Sequence, residues 1–291
     1  IHIGRETGIR ILVTHFKLRG RRNWGNARRH LDTIDRARGE GIDIGIAQYP
    51  YTANSTFMHV VVPPWYHSRG VDGLLRALRE ERGAIKHDLD TRMDWENFSQ
   101  SVGWEKIFVS SVASEANQPC VGKSISQIAA ERGHADAADA AFDLLVEEQL
   151  AVGMISFGLD EADIPAIMRH PAVSFITDGL MSGRPHPRAY ATYPRILGRY
   201  VREQGVLSLE EAVRKMTSLP ARKIRLRNKG VIAEGYDADL VVFDPDTVID
   251  RNSYDDPRVH PAGIRHVLVN GVFVVEDAAL TGARPGRVIR D

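Results

Sequence analysis

Two stretches decide the fold: IRILVTHFK at residues 9–17 and GIDIGIAQYPY at residues 41–51. The first has an apolar, β-branched run at 9–14 that stops at a polar cluster, His15 and Lys17. That is the signature of a short buried strand with reactive groups at its C-terminal end. The second repeats the pattern through Ile42, Ile44 and Ile46 and runs into Tyr49-Pro50-Tyr51. Between them lies a Gly- and Arg-rich loop, LRGRRNWGN, and then Ala27, Leu31, Ile34 and Ala37 at helical spacing, ended by Gly39 and Gly41. Strand, loop, helix, strand is a βαβ unit, and such units build parallel sheets with helices outside.

Working outward, residues 52–121 lose the alternation and read as an excursion from the barrel, with a helix near 73–81 and a strand at 107–112. Ser124 and Gln127 form a capping-box pair. A helix at 137–148, a strand at 152–157, a helix at 160–169 and a strand at 173–177 restore the βα rhythm, the last ending at Asp178-Gly179. Ser208 and Glu211 cap a further helix through Met216. Beyond Leu226 the texture changes to short apolar runs punctuated by glycine, which predicts an all-β tail. The division expected is therefore 1–228, a parallel α/β part, and 229–291, a β part. The opening at 1–8 reads as the tail of a helix broken at Gly8, so the chain is expected to be the C-terminal portion of a longer protein.

Composition narrows the function. Lys plus Arg and Asp plus Glu each total 38, so the net charge is zero and no field draws in nucleic acid or an anionic membrane. No apolar run is long enough to span a bilayer, and no signal peptide is visible. Cys120 is the single cysteine, which excludes an internal disulfide and a Cys-based zinc cluster. It reads as a small buried apolar residue, and the expected location is cytoplasmic.

His15 and Asp178 both close predicted parallel strands, the edge where α/β proteins build their sites. Histidine can ligate a metal, and aspartate can ligate one or act as a base. A buried pair satisfied by its neighbours would look the same in sequence. Arg184-Pro185-His186-Pro187-Arg188 presents arginine on a stiff loop, suited to gripping a carboxylate. Tyr49 and Ser55 could bind a carboxylate or carbonyl through their hydroxyls, or simply pack the rim. The other histidines show no ligand spacing.

Taken in order, VTHFK at 13–17, YPYTANST at 49–56, ITDGL at 176–180, RPHPRAYATYPRILGRYVRE at 184–203, MTSLPARKIRL at 216–226 and KGVIAEGYDADLVVFDP at 229–245 resemble the N-acyl-D-amino-acid deacylases (D-aminoacylases) of the amidohydrolase superfamily. The resemblance implies a distorted (β/α)8 barrel of the TIM type, represented here by its later strands, with a small β-sandwich. It implies a zinc-dependent hydrolase that cleaves the amide of a small N-acyl-D-amino acid. His15 and Asp178 would be metal ligands, with Asp178 also the proton-transfer residue. Lys17, Tyr49, Ser55, His186 and Arg188 would contact substrate. The remaining zinc ligands would lie before Ile1, and Cys120 does not match the ligand cysteine. Phe16 stands where the family often has a second histidine, and the stretch after Gly179 lacks the family's usual Pro-His pair. Two rivals share parts of the pattern: a cyclic-amide hydrolase of the dihydropyrimidinase or dihydroorotase kind, and a non-catalytic protein on the same fold.

Overall fold

The computed structural model describes residues 1–289. Strands β1 (Ile11–Val13) and β2 (Ile44–Gln48) pair in parallel, Ile11 opposite Ile44. The helix Ala27–Gly39 joins them and buries Ala27, Leu31, Ile34 and Ala37, the side chains that the sequence spacing put on one face. Every residue of β2 is buried, as expected for a parallel strand covered on both faces.

Chain order then leaves this sheet. Strands β3 (Ala53–Phe57), β4 (Ile107–Ser111) and β5 (Gly153–Phe157) form an antiparallel sheet in the order β3-β5-β4. Five helices pack around it: Pro64–His67, Gly70–Glu80, Arg82–Thr91, Ile125–Arg132 and Ala137–Glu147. Their core includes Leu78, Ile85, Phe142 and Leu144, all fully buried, and Cys120 lies in it. The expected capping box is present, with the Ser124 hydroxyl accepting from Gln127 N and the Gln127 side chain accepting from Ser124 N. One expectation is corrected here. The strand at 152–157 does not resume the parallel alternation; it pairs antiparallel with β3 and β4, so the excursion continues to Phe157. A five-residue apolar strand reads the same in either direction, and only its distant partners fix the sense.

Strand β6 (Val173–Phe175) returns to the parallel sheet beside β2, giving the order β1-β2-β6, part of a barrel wall. The helix Arg188–Arg195 follows, then a wide helical turn at Ile196–Glu203. Pro194 lies inside this segment, and Ala191 leaves helical geometry. A proline donates no N–H and crowds the preceding turn, which accounts for the break. Ser208 caps Leu209–Met216 as expected.

The tail forms one antiparallel sheet in the order β10-β9-β8-β7, built from β7 (Leu240–Phe243), β8 (Ile264–Val269), β9 (Val272–Glu276) and β10 (Ala279–Leu280). Among the described residues it is a single sheet, where two facing layers were expected. No helix among the described residues is long and apolar enough to cross a membrane.

Candidate active site

The parallel sheet brings the two key residues to one edge. β1 and β6 flank β2, and their exits are tied to its end: Phe16 N donates to Ala47 O (2.7 Å), and Ile176 N donates to Gln48 O (3.0 Å). His15 and Asp178 both turn away from their strands with positive φ, 42° and 48°. That left-handed region is uncommon for L-residues and is best tolerated by Asn, Asp and His. Non-glycine residues held there cluster at functional sites. Gly179 lets the next helix close in, since a Cβ there would lie 3.0 Å from Ala189 Cα.

His15, Lys17, Ser55, Asp178 and Arg188 line one cavity of about 780 Å³. Arg188 is its pivot and is 1% exposed. Its Nη2 donates to Ser55 O (3.1 Å) and lies 3.0 Å from Asp178 Oδ2. Its Nε and Nη1 are buried and have no hydrogen-bond partner among the described residues. Unpaired donors on a buried guanidinium are costly. Tyr49 lies beneath, its ring centroid 4.5 Å from Arg188 Cζ and 5.5 Å from Lys17 Nζ. Burial pushes the Tyr49 phenol up, so it stays neutral. Burial pulls Lys17 down to about 8, with Asp178 opposing and Arg188 adding to the shift. Lys17 Nζ also lies 3.1 Å from His15 Nδ1.

Ser55 lines the cavity and also accepts from Arg188 through its backbone carbonyl. Two expectations change in detail. His186 does not line the cavity. It is fully buried, its Nδ1 accepts from Arg188 N (3.0 Å) and its Nε2 donates to Ala53 O (3.0 Å), so it fixes the loop and positions Arg188. Burial first, then the charge of Arg188, holds it well below the usual histidine range, which matches this neutral tautomer. Arg184 turns away to Tyr254 O and Asp255.

The cavity also holds residues that sequence reading missed: Arg19, Asn23, His30, Phe57, Glu96 and Phe98. Arg19 follows the VTHFK block closely enough to have been a candidate. Glu96 and Phe98 come from the irregular excursion, where no periodicity or motif marks them.

Zinc was the expected metal, and a zinc site needs its ligands among the described residues. They contain no group of three or more His, Cys, Asp or Glu side chains able to hold a metal ion. His15 and Asp178 are two donors, and a zinc site needs three or four. The residues present do not hold a zinc by themselves.

An Amidohydrolase family profile matches residues 119–275. N-acyl-D-glutamate deacylase of Alcaligenes xylosoxydans xylosoxydans is 37% identical over 289 residues, which is 99% of this chain and 50% of that protein. The D-aminoacylase of the same organism is 34% identical over 288 residues, again 99% of this chain and 50% of that protein. The chain thus spans about half the length of the curated relatives it matches. A crystal structure of N-acyl-D-glutamate deacylase from Bordetella bronchiseptica, complexed with zinc and a phosphonate mimic of the tetrahedral intermediate, is similar with a TM-score of 0.79 and 35% identity. It matches 100% of this chain and 52% of that one. Because the profile takes in more than half of the residues and the backbone follows a deacylase's along its entire length, this chain belongs to the amidohydrolase family.

Proposed function

We propose that this chain forms the carboxylate-gripping and proton-transferring side of an enzyme that hydrolyses the amide of N-acyl-D-amino acids to a carboxylate and a free D-amino acid. The observation that carries the proposal is Arg188, buried with two donor nitrogens that have no partner among the described residues, in one cavity with Lys17 and Asp178. In this reading Arg188 and Lys17 hold the substrate's α-carboxylate, a bidentate grip that a guanidinium suits. Holding the carboxylate orients the amide beside Asp178. Asp178 takes a proton from the attacking water as the new C–O bond forms. It then returns that proton to the nitrogen as the C–N bond breaks, so one carboxylate serves as base and then acid. The family's zinc would draw its further ligands from the part of the relatives' length that this chain does not span. The substrate is a small molecule, the proposed location is cytoplasmic, and residues 1–228 and 229–291 are the proposed barrel and β portions.

The test uses a polypeptide that joins this chain to a segment equivalent to the remaining half of the relatives. There, Asp178→Asn is expected to lower kcat on an N-acyl-D-amino acid by about 10³-fold with little change in KM. Turnover within tenfold of the parent removes Asp178 from proton transfer. The 291-residue chain alone is expected to retain no stoichiometric zinc after dialysis; one zinc per chain overturns the ligand assignment.

A further inference from the structure

We infer that Tyr254 is a positioning residue for Arg188, acting through His186, and that its loop ties the β portion of the chain to the carboxylate grip. The inference rests on the carboxylate-gripping reading above. Residues 250–261 form an irregular loop between β7 and β8. Its neck is closed by Ile249 and Ala262, whose N–H groups each donate to the other's carbonyl.

This loop meets both ends of the helix Arg188–Arg195. At the C-terminal end Arg195 Nη1 pairs with Asp250 Oδ2 at 2.7 Å, and both side chains are largely buried. At the N-terminal end Asn252 Nδ2 donates to Pro187 O (3.0 Å) and to Pro257 O (3.0 Å). Arg184 Nε donates to Tyr254 O (3.0 Å), and Arg258 Nη2 donates to Gly183 O (2.6 Å). The pair between Arg184 and Asp255 adds little, because the aspartate is fully in solvent. The two prolines flanking His186 stiffen residues 184–188. Stiffness alone does not set where that segment sits against the cavity; these ties do.

Tyr254 makes the tie that bears on Arg188. Its ring meets the His186 imidazole edge-on, with centroids 5.1 Å apart and planes at 77°. Tyr51 meets the same imidazole at 5.1 Å and 89°, and Tyr49 meets it at 6.2 Å. Three phenol rings therefore hold the imidazole, and Tyr254 is the one that the β portion supplies. Tyr254 also packs on Phe157 at the end of β5, 4.7 Å away. Edge contacts of this kind fix the orientation of a ring as well as its place. Held so, the imidazole keeps Nδ1 on Arg188 N and Nε2 on Ala53 O. The Tyr254 hydroxyl lies 3.4 Å from that same Nε2, whose proton Ala53 already takes, so Tyr254 acts by its ring. A turned imidazole would release the Arg188 backbone and shift its guanidinium from Ser55 and Asp178.

The test is a double-mutant cycle in the joined polypeptide described above. Its substrate is N-acetyl-D-leucine or N-acetyl-D-glutamate, whichever the parent hydrolyses faster. Arg188→Ala is expected to lower kcat/KM about 100-fold and Tyr254→Ala about tenfold. The variant carrying both is expected to fall no further than Arg188→Ala alone, because Tyr254 works only through the arginine. Tyr254→Phe keeps the ring and should restore kcat/KM to within about threefold of the parent. Losses that multiply in the double variant mean a general destabilisation and overturn the inference. A parent-like kcat/KM in Tyr254→Ala overturns it too, as does a Tyr254→Phe variant impaired as much as Tyr254→Ala. Should Tyr254→Ala not fold, Tyr254→Leu, which keeps bulk without an aromatic edge, enters the same cycle with the same outcomes. If Arg188→Ala alone leaves kcat/KM unchanged, or the parent hydrolyses neither compound, the carboxylate-gripping reading itself fails and takes the inference with it.

Discussion

The sheet β1-β2-β6 and the sheet β7–β10 are made of similar residues and end in opposite states. β2 (IGIAQ) and β6 (VSF) contain only buried residues. In β7 (LVVF), β8 (IRHVLV), β9 (VFVVE) and β10 (AL) no residue is buried among the described residues. Val241, Val242, Val272, Phe273 and Leu280 are between 38% and 73% exposed. An apolar pattern therefore makes a strand, but only a second layer makes a core. The first sheet has its layer in the helices behind it. In this chain, which spans about half the length of the curated relatives it matches, the second has no facing layer among the described residues and carries its backbone ladder and tight turns, such as Asn270-Gly271 with φ of 49° and 78° between β8 and β9. Positive φ at both central residues is the hairpin geometry that Asn-Gly favours.

The largest effect should separate packed from unpacked aromatics. Phe142 is fully buried, and Phe142→Ala is expected to cost about 3–5 kcal/mol in a denaturant titration. Phe273→Ala, in β9, is expected to cost under about 1 kcal/mol because Phe273 is already 38% exposed. Equal losses would break the contrast. The next effect is electrostatic and also belongs to the packed side. Glu148 is 4% exposed at the end of the helix Ala137–Glu147. Burial alone would raise its pKa. The Ser114 hydroxyl, the Asn117 amide and the backbone N–H groups of Ser114 and Ala113 overcome that and hold it at about 2. A folded-state value below the ordinary carboxylate value means that its stabilisation is complete above about pH 4.5 and is lost as pH falls toward 2. The loss is about 3 kcal/mol. Glu148→Gln should flatten that acid limb; an unchanged limb would show that other carboxylates set it.

Much of this was legible in the residues. The βαβ unit was, because Ala27, Leu31, Ile34 and Ala37 carry a period that only one helix face satisfies. So was the placement of His15 and Asp178 in one cavity, because strand-end position in a parallel sheet is a topological fact. The sense of β5 was not, since strand direction is set by partners about a hundred residues away in the chain. His186 was misread for a related reason. A histidine between two prolines beside an arginine looks like part of the binding loop, yet its two ring nitrogens are consumed by Ala53 and Arg188. Glu96, Phe98 and Phe57 reach the cavity through tertiary folding of the excursion, and no local pattern encodes that. Alternation along β7–β10 reports which residues a strand would bury and not what is there to bury them, and in this chain, about half the length of its curated relatives, no second layer lies over that sheet among the described residues.

The smallest effect is the sharpest test of how the tail sheet is held. If turns and ladder dominate, a turn glycine should outweigh an apolar side chain on the face. Gly271 has φ of 78°, and an added Cβ would touch only Ala238, 3.9 Å away. Gly271→Ala therefore meets no clash; its cost is the left-handed backbone strain of an L-residue, about 1–2 kcal/mol. Val242 is 47% exposed in β7, and Val242→Thr keeps a β-branched residue that strands favour. It is expected to change stability by less than about 0.5 kcal/mol. Hydrogen exchange at the amides of β8, which pairs with both β7 and β9, reads both changes in the same sheet. Faster exchange in Gly271→Ala than in Val242→Thr supports a sheet held by its turns. The reverse order would mean that the valine side chain is covered after all, and the contrast between the two sheets would fail at its weaker member.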